Sequence, residues 1–246
     1  MKRVLVFIMC ITVAICFAAC GESKSVDDSF IEAEASGLQA RWDLSDQHDK
    51  DKVEDNAENF IACVDAELNK VSEFKDSEFE DKTLGKLAKE YIDILEKSKD
   101  LASKYYDKNY KTFDKQYTPL NQRRSQIIQK FSEDYKMPID KEHQSTLDEF
   151  IADAKLTSAV QEIINNAKFE KVSDEYGWKE YEAVLENTAD QKFDYFVFNI
   201  NLVDKDGVVV ETQSASTDNW DVGEKHRFKF STDAKFKKIE IDSAEY

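Results

Sequence analysis

The spacing of apolar residues changes once along this chain, and that change constrains the fold more than any other feature. Up to about Phe169, apolar residues recur every three or four positions, the period of α-helices packed on a core. After Gly177 they alternate with polar residues, the period of β-strands with one buried face. We therefore predict an α plus β chain of two domains. An N-terminal all-α antiparallel helical bundle or hairpin precedes a C-terminal antiparallel β-sandwich.

Residues 30–170 are predicted to form the helical domain. The most regular segment runs from Leu84 to Tyr105, where apolar residues lie alternately three and four positions apart. Weaker segments precede it at Phe30 to Trp42 and at Val53 to Val71. The Leu84–Tyr105 segment also carries apolar residues on the flanks of its stripe, so we expect this helix to contact partners on more than one side.

Two prolines divide the rest of the helical region. Thr118-Pro119 is predicted to end one helix and to begin the next, because the residue before a proline avoids the helical conformation. Pro138 marks a second break, after which residues 147–167 form one bent helix or two short ones. A set of aromatic residues keeps the helical spacing, which favours core packing over a sugar-stacking surface. They are Tyr106, Tyr110, Phe113 and Tyr117.

Residues 177–246 are predicted to form the β-sandwich. In the clearest strand, apolar residues from Phe196 to Leu202 alternate with Asn199 and Asn201, and Asp204 to Gly207 supplies the turn that follows. Short strands at such spacing, with no helix between them, are typical of a sandwich. The predicted strands are Tyr181 to Glu186, Phe196 to Leu202, Val208 to Thr212, His226 to Phe230 and Phe236 to Ile241.

The N-terminus has the pattern of a leader for an exported lipoprotein. A short basic start precedes an apolar run from Val4 to Phe17, which ends on Ala18-Ala19-Cys20-Gly21. Small residues admit the peptidase, and a cysteine at the first mature position accepts the lipid. We interpret residues 1–19 as the signal peptide, Cys20 as the lipidation site and residues 20–29 as a tether. An uncleaved transmembrane anchor is the alternative, although a spanning helix needs roughly 20 apolar residues.

The charge balance limits the partners of the chain. It carries 51 acidic and 34 basic residues, a net charge of −17, and loss of the leader would remove two of the basic ones. Such a surface is a poor match for nucleic acid, so we predict no nucleic-acid partner. The predicted partners are the membrane, reached through the lipid on Cys20, and a protein or cell-wall component.

The sequence offers no catalytic, cofactor-binding or metal site that we would assign. His48, His143 and His226 are scattered and lack the spacing of zinc ligands. The turn at Asp204 to Gly207 lacks the further acids of a calcium loop. A pair of carboxylates across a cleft, as in glycosidases, is the one arrangement that sequence cannot place.

The sequence also allows predictions about the burial of Cys63 and Trp220. Processing would remove two cysteines and lipidate Cys20, which leaves Cys63 as the sole thiol of the folded part and permits no internal disulfide. We expect Cys63 to be a small buried residue rather than a reactive thiol. We also expect Trp220 to be buried and not to bind saccharide from a loop.

The C-terminal third resembles the FxLYD domain, an immunoglobulin-like sandwich of bacterial lipoproteins of the Firmicutes type. The namesake motif corresponds to Ile200-Asn201-Leu202-Val203-Asp204, with Ile200 where the family has Phe and Val203 where it has Tyr. The other matching stretches are Glu186-Asn187-Thr188, Tyr195 to Ile200, Leu202 to Gly207 and Asp221 to Glu224. The resemblance implies an adhesive or spacer module without assigned catalysis.

Together these features predict a non-catalytic cell-surface lipoprotein, extracytoplasmic and lipid-anchored to the cell membrane. It would act as a binding, adhesive or spacer module at the outer face of the cytoplasmic membrane. Two alternatives belong to other classes. One is a cell-wall or polysaccharide hydrolase that uses a carboxylate pair, and the other is a solute-capturing lipoprotein.

Overall fold

The computed structural model describes residues 24–246, which form a helical part followed by a β part. The predicted signal peptide, Cys20 and the start of the tether lie outside this range. The predicted α plus β layout in two parts is confirmed. The described residues form the helices α1 (Val26–Asp51), α2 (Ala57–Val71), α3 (Lys82–Tyr105), α4 (Tyr110–Tyr135) and α5 (Gln144–Asn166), with a 3-10 turn at Ser72–Phe74.

Helix α1 is longer at both ends than its apolar stripe indicates. It begins at Val26, because the Oγ atom of Ser25 accepts a hydrogen bond of 3.0 Å from the backbone N–H of Asp28 and thereby caps the helix. Residues 26–29, which we assigned to the tether, therefore belong to the helix. Beyond Trp42 the helix continues to Asp51 through mostly exposed polar residues, which carry no apolar stripe to reveal it.

The predicted helix break at Pro119 is wrong. Pro119 lies inside α4, and the chain turns earlier, between Tyr105 and Tyr110, where the side chain of Asn109 caps the new helix. A proline inside a helix removes one N–H donor and leaves the carbonyl four residues earlier, that of Lys115, without its usual partner. Both residues are exposed, so water can satisfy that carbonyl and the helix continues.

The helical core lies among α1 to α4. Phe30 of α1 packs edge-on against Phe74, Phe79 and Phe131, with ring centroids 5.4–5.6 Å apart. Close approach of α1 and α2 depends on Gly37, where an added Cβ would lie 3.0 Å from the carbonyl oxygen of Glu67. This contact brings the side chains of α2 into the middle of the bundle.

Helix α5 belongs to both parts of the molecule. It is one continuous helix, which settles the choice left open between one helix and two. Its first half packs against the helical core through Leu147, Phe150 and Ile151. In its second half, Val160 and Ile163 are buried in the core of the β part. The two predicted domains therefore share this helix.

The β part consists of two three-stranded antiparallel sheets, ordered β1-β2-β5 and β4-β3-β6. It begins at Glu170, before the predicted boundary at residue 177, because the first strand is mostly polar and exposed and lacks an alternating pattern. The strands are β1 (Glu170–Glu175), β2 (Trp178–Glu186), β3 (Phe193–Val203), β4 (Val209–Trp220), β5 (Lys225–Thr232) and β6 (Lys238–Glu245).

The strand pairing is that of an immunoglobulin-like sandwich. The second strand pairs with the fifth and the third with the sixth, as B pairs with E and C with F in immunoglobulin domains. The inner faces meet through aromatic rings, among them Phe198 and Phe228 with centroids 4.9 Å apart. Trp220 is fully buried, as predicted, and its Nε1 atom donates a 2.9 Å hydrogen bond to the carbonyl of Glu224.

Candidate functional site

A buried ionic network joins three helices in the middle of the bundle. Glu67 of α2 accepts hydrogen bonds of 3.0 and 2.7 Å from the Nε and Nη2 atoms of Arg124 on α4. Arg41 of α1 donates a third, of 2.9 Å, to the same carboxylate. Such bidentate pairs are strong and fix the orientation of the helices that carry them.

Glu34 lies beside this network without a partner of its own. Its side chain is fully buried, and neither carboxylate oxygen has a hydrogen-bond partner among the described residues. Burial, together with the negative charge of Glu67, raises the pKa of Glu34 well above its ordinary value, which favours the neutral acid. Because both glutamates are fully buried, we assign the network a role in fixing the bundle rather than in binding a ligand.

An aromatic cluster lies where α3 turns into α4. The ring of Phe113 stacks on Tyr117 at 5.0 Å and lies 4.6 Å from Tyr106, and it is buried as the helical spacing predicts. The cluster is nevertheless divided by the turn instead of lying on one continuous helix. Tyr110 is 55% exposed and Tyr117 is half-buried, so these two rings also face a cleft.

That cleft is part of a groove between α4 and α5. A cavity of about 330 Å³ adjoins one of about 250 Å³, and the two share Gln122, Thr157 and Ser158. We call the pair the α4–α5 groove. From α4 it is lined chiefly by Tyr110, Asp114, Tyr117, Asn121, Gln122 and Gln126. From α5 it is lined chiefly by Asp153, Thr157, Ser158, Gln161, Glu162 and Asn165.

The groove is polar, and the charged side chains that line it are all acidic. None of the lysines and arginines between residues 24 and 246 lines it, and amide and hydroxyl side chains predominate. The hydroxyl of Tyr117 donates to Asn121 at 3.0 Å, and Gln126 donates to Ser158 across the helix pair at 3.3 Å. An ion pair between Lys155 and Glu133, 2.9 Å apart, joins the two helices farther along. The groove can therefore donate and accept many hydrogen bonds.

Sequence reasoning did not find this groove. Its residues occupy the faces of α4 and α5 that do not point into the core, and such polar faces normally meet solvent. The structure places Asp114 of α4 and Asp153 of α5 in the lining of one cleft. Their spacing in the sequence does not predict that these two acids share a cleft.

Cys63 is less buried than expected and has a histidine neighbour. It is half-buried, and its Sγ atom lies 3.9 Å from Nδ1 of His48 on the preceding helix. Both residues line a separate cleft of about 450 Å³. Partial burial raises the pKa of the Cys63 thiol, against an opposing influence from Arg41. The protonated thiol is a weak nucleophile, so this pair does not make a strong catalytic site.

One group of possible metal ligands occurs among residues 24–246. Oxygen or nitrogen atoms of Asp140, Glu142 and His143 lie within 4.8 Å of one another. His143 already contacts Asp43, with 3.0 Å between Nε2 and Oδ1, and its ring stacks on Trp42. His143 also immediately precedes α5, where the helix dipole favours anions over cations. We therefore assign no metal here.

The turn at Asp204 to Gly207 is a hairpin turn, as its sequence suggests. Oδ1 of Asp204 accepts hydrogen bonds from the backbone N–H groups of Asp206, at 2.8 Å, and Val208, at 2.9 Å. Gly207 has the positive φ, +80°, that closes the turn. One oxygen of the carboxylate is thus used locally to shape the loop.

The chain has little detectable similarity to known proteins. No family model matches the chain, and no curated protein sequence matches it. A solved structure of IrmA from Escherichia coli is similar at 18% identity, covering 32% of this chain and 70% of that one with a TM-score of 0.26. Similarity at this level defines neither fold nor function. In the part that the structure describes, no helix is both long and apolar enough to cross a bilayer.

Proposed function

We propose that this chain is a lipoprotein with a C-terminal FxLYD-like sandwich, anchored through Cys20 at the outer face of the cytoplasmic membrane. There it acts as a non-catalytic binding, adhesive or spacer module. The observation that carries the proposal is the leader, in which a basic start and an apolar run end on Ala18-Ala19-Cys20-Gly21. The net charge of −17 supports a body that does not lie flat on anionic headgroups.

Two surfaces support binding as the role of the folded part. One is the α4–α5 groove, which offers many hydrogen-bonding side chains without a reactive cluster. The other is the tip of the β1–β2 hairpin, where Tyr176 is fully exposed and Trp178 is 55% exposed. Exposed aromatic residues of this kind are enriched at contacts between proteins.

The anchoring is tested by replacing the lipidated residue. Cells expressing the full chain are fed an alkyne-tagged fatty acid, and the labelled band is compared between the wild type and Cys20→Ser. We expect label only in the wild type and release of the variant from its lipid attachment. Cys63→Ser is the matched control and is expected to keep the label. An N-terminus other than an acylated cysteine, found by mass spectrometry, would exclude the anchor.

A hydrolase is the second candidate, and the positions of Asp114 and Asp153 favour it. Carboxylates on opposite sides of a cleft are the arrangement that glycosidases use. The full chain is incubated with cell-wall polysaccharide, and newly formed reducing ends are counted. A catalytic role would replace the binding role if reducing ends no longer form with Asp114→Asn or with Asp153→Asn but still form with Asp134→Asn.

A further inference from the structure

We infer that the α4–α5 groove binds a neutral oligosaccharide. The inference rests on the proposed binding function and names the class of ligand. Four observations support it: the charge of the groove lining, the hydrogen-bond donors and acceptors of that lining, an aromatic ring at one end of the groove, and the lack of apolar pockets within the groove.

The charge of the lining excludes anionic ligands. Lysine and arginine are common in residues 24–246, yet none of those described lines either cavity of the groove. The ionisable acids of the lining are Asp114, Asp153 and Glu162. Phosphorylated or sulfated polymers would therefore meet only like charge, whereas a neutral ligand meets no such repulsion.

The lining suits a ligand that is itself both a donor and an acceptor. Planar amide groups can address two neighbouring hydroxyls at once, and a carboxylate accepts from two. Several of these side chains satisfy one another across single contacts of 3.0–3.3 Å, among them Tyr117 with Asn121 and Gln161 with Asn165. Ligand hydroxyls can replace these contacts at little cost, because each side chain exchanges one hydrogen bond for another.

An aromatic ring stands at one end of the groove. Tyr110 is 55% exposed, and its ring rests edge-on against Tyr106, with 5.3 Å between centroids, and lies 5.7 Å from Phe113. The neighbouring rings fix its orientation while one side remains open. A rigid, half-open ring suits the C–H face of a sugar, which is the apolar side of an otherwise polar ligand.

A peptide fits the same groove less well. Extended and helical peptides are recognised through pockets for their side chains, usually apolar ones. Ala154 is the only aliphatic residue in the lining, and it is small. The groove therefore has no place for the apolar anchors of a peptide, whereas saccharides need none.

The test uses the full-length chain, extracted from membranes in detergent, and isothermal titration calorimetry. The probes are cellotetraose, maltotetraose and chitotetraose, with a lysine-rich hexapeptide as the competing class. Tyr110→Ala removes the ring, and Gln122→Ala removes an amide that lines both cavities. Gln129→Ala, on α4 outside the groove, and Tyr195→Ala, a 50% exposed tyrosine of the sandwich, are the matched controls.

We expect saturable binding of at least one tetrasaccharide, weakened about ten-fold by Tyr110→Ala and by Gln122→Ala and unchanged in the controls. No binding of any tetrasaccharide, or binding that the groove variants leave unchanged, would overturn the inference. Preference for the hexapeptide, lost in the same variants, would overturn it in favour of a peptide. Binding followed by the appearance of reducing ends would support the ligand class and reject only the non-catalytic role. The fatty-acid label on Cys20 is scored separately, so failure of the anchor is distinguishable.

Discussion

The helical part and the sandwich differ in the polar groups that they bury: ionisable in the first and neutral in the second. The helical core encloses Glu34, Glu67 and Arg124, all buried and all ionisable. The sandwich core is apolar and aromatic, and its buried Asn187 is neutral. The stability of the helical part should therefore depend on charge and pH, whereas that of the sandwich should depend on packing and neutral hydrogen bonds.

The largest effect is expected when the buried ion pair is broken. Arg124→Met should cost the helical part about 3–5 kcal/mol, because Glu67 remains buried with Arg41 alone. Urea unfolding followed by circular dichroism at the helical band measures the loss. Arg123→Met is the neighbouring control: it removes a half-exposed pair with Glu90 and should cost less than about 1 kcal/mol. Equal losses in both variants would show that burial of the pair does not matter.

The corresponding change in the sandwich removes Asn187. Its side chain donates to the carbonyls of Gln191 and Trp220 and accepts from the N–H of Ala189, with distances of 2.9–3.0 Å. Asn187→Ala should cost about 2–3 kcal/mol, because buried backbone groups lose their partner. The loss should be the same at pH 5 and at pH 8, measured by tryptophan fluorescence during urea unfolding. A strong pH dependence would break the contrast between the two parts.

Replacing Glu34 should change the free energy of unfolding by a smaller amount, and the size of this change should depend on pH. A group whose pKa is raised by folding contributes its full stability below its unfolded pKa, near 4.5, and loses that stability as the pH rises through its folded pKa. Glu34→Gln cannot ionise, so it should be more stable than the wild type at pH 8 and equally stable at pH 4. Paired urea titrations at the two pH values measure this. A gain of equal size at both would mean that ionisation plays no part.

The smallest effect concerns the proline inside α4. Pro119→Ala restores one backbone hydrogen bond in an exposed turn and should stabilise the helical part by about 1 kcal/mol, since the helix already accommodates the proline. The same substitution at Pro138, between α4 and α5, restores no helical bond and should give no gain. Thermal melting of the two variants side by side compares them, and a loss at Pro119 would show that the proline stabilises α4.

The sequence predicted the parts of the fold in which one face is apolar. The alternation from Phe196 to Leu202 identified the central strand of one sheet, because a buried face leaves a periodic trace. Strand β1 left none, since nearly all of its residues are exposed. The break at Pro119 was wrong because an exposed carbonyl can be satisfied by water, which local rules do not consider.

The candidate site could be predicted only in part. The polar lining of the α4–α5 groove depends on how two helices pair, and nothing in the spacing of Asp114 and Asp153 brings them together. The buried network did leave a signal. Glu34 lies in the apolar stripe of α1, between Ile31 and Leu38, and an acid in that position indicates either a buried partner or a functional group.

Because α5 contributes to both cores, the two parts meet through packed side chains and not through a linker alone. A force applied at the start of α1 would be transmitted to the sandwich through the packed side chains of α5. Cutting the chain near residue 177 would uncover the surface that Val160 and Ile163 protect and leave the isolated sandwich prone to aggregate. A partner bound to the sandwich would therefore keep a defined distance and orientation relative to the helical bundle.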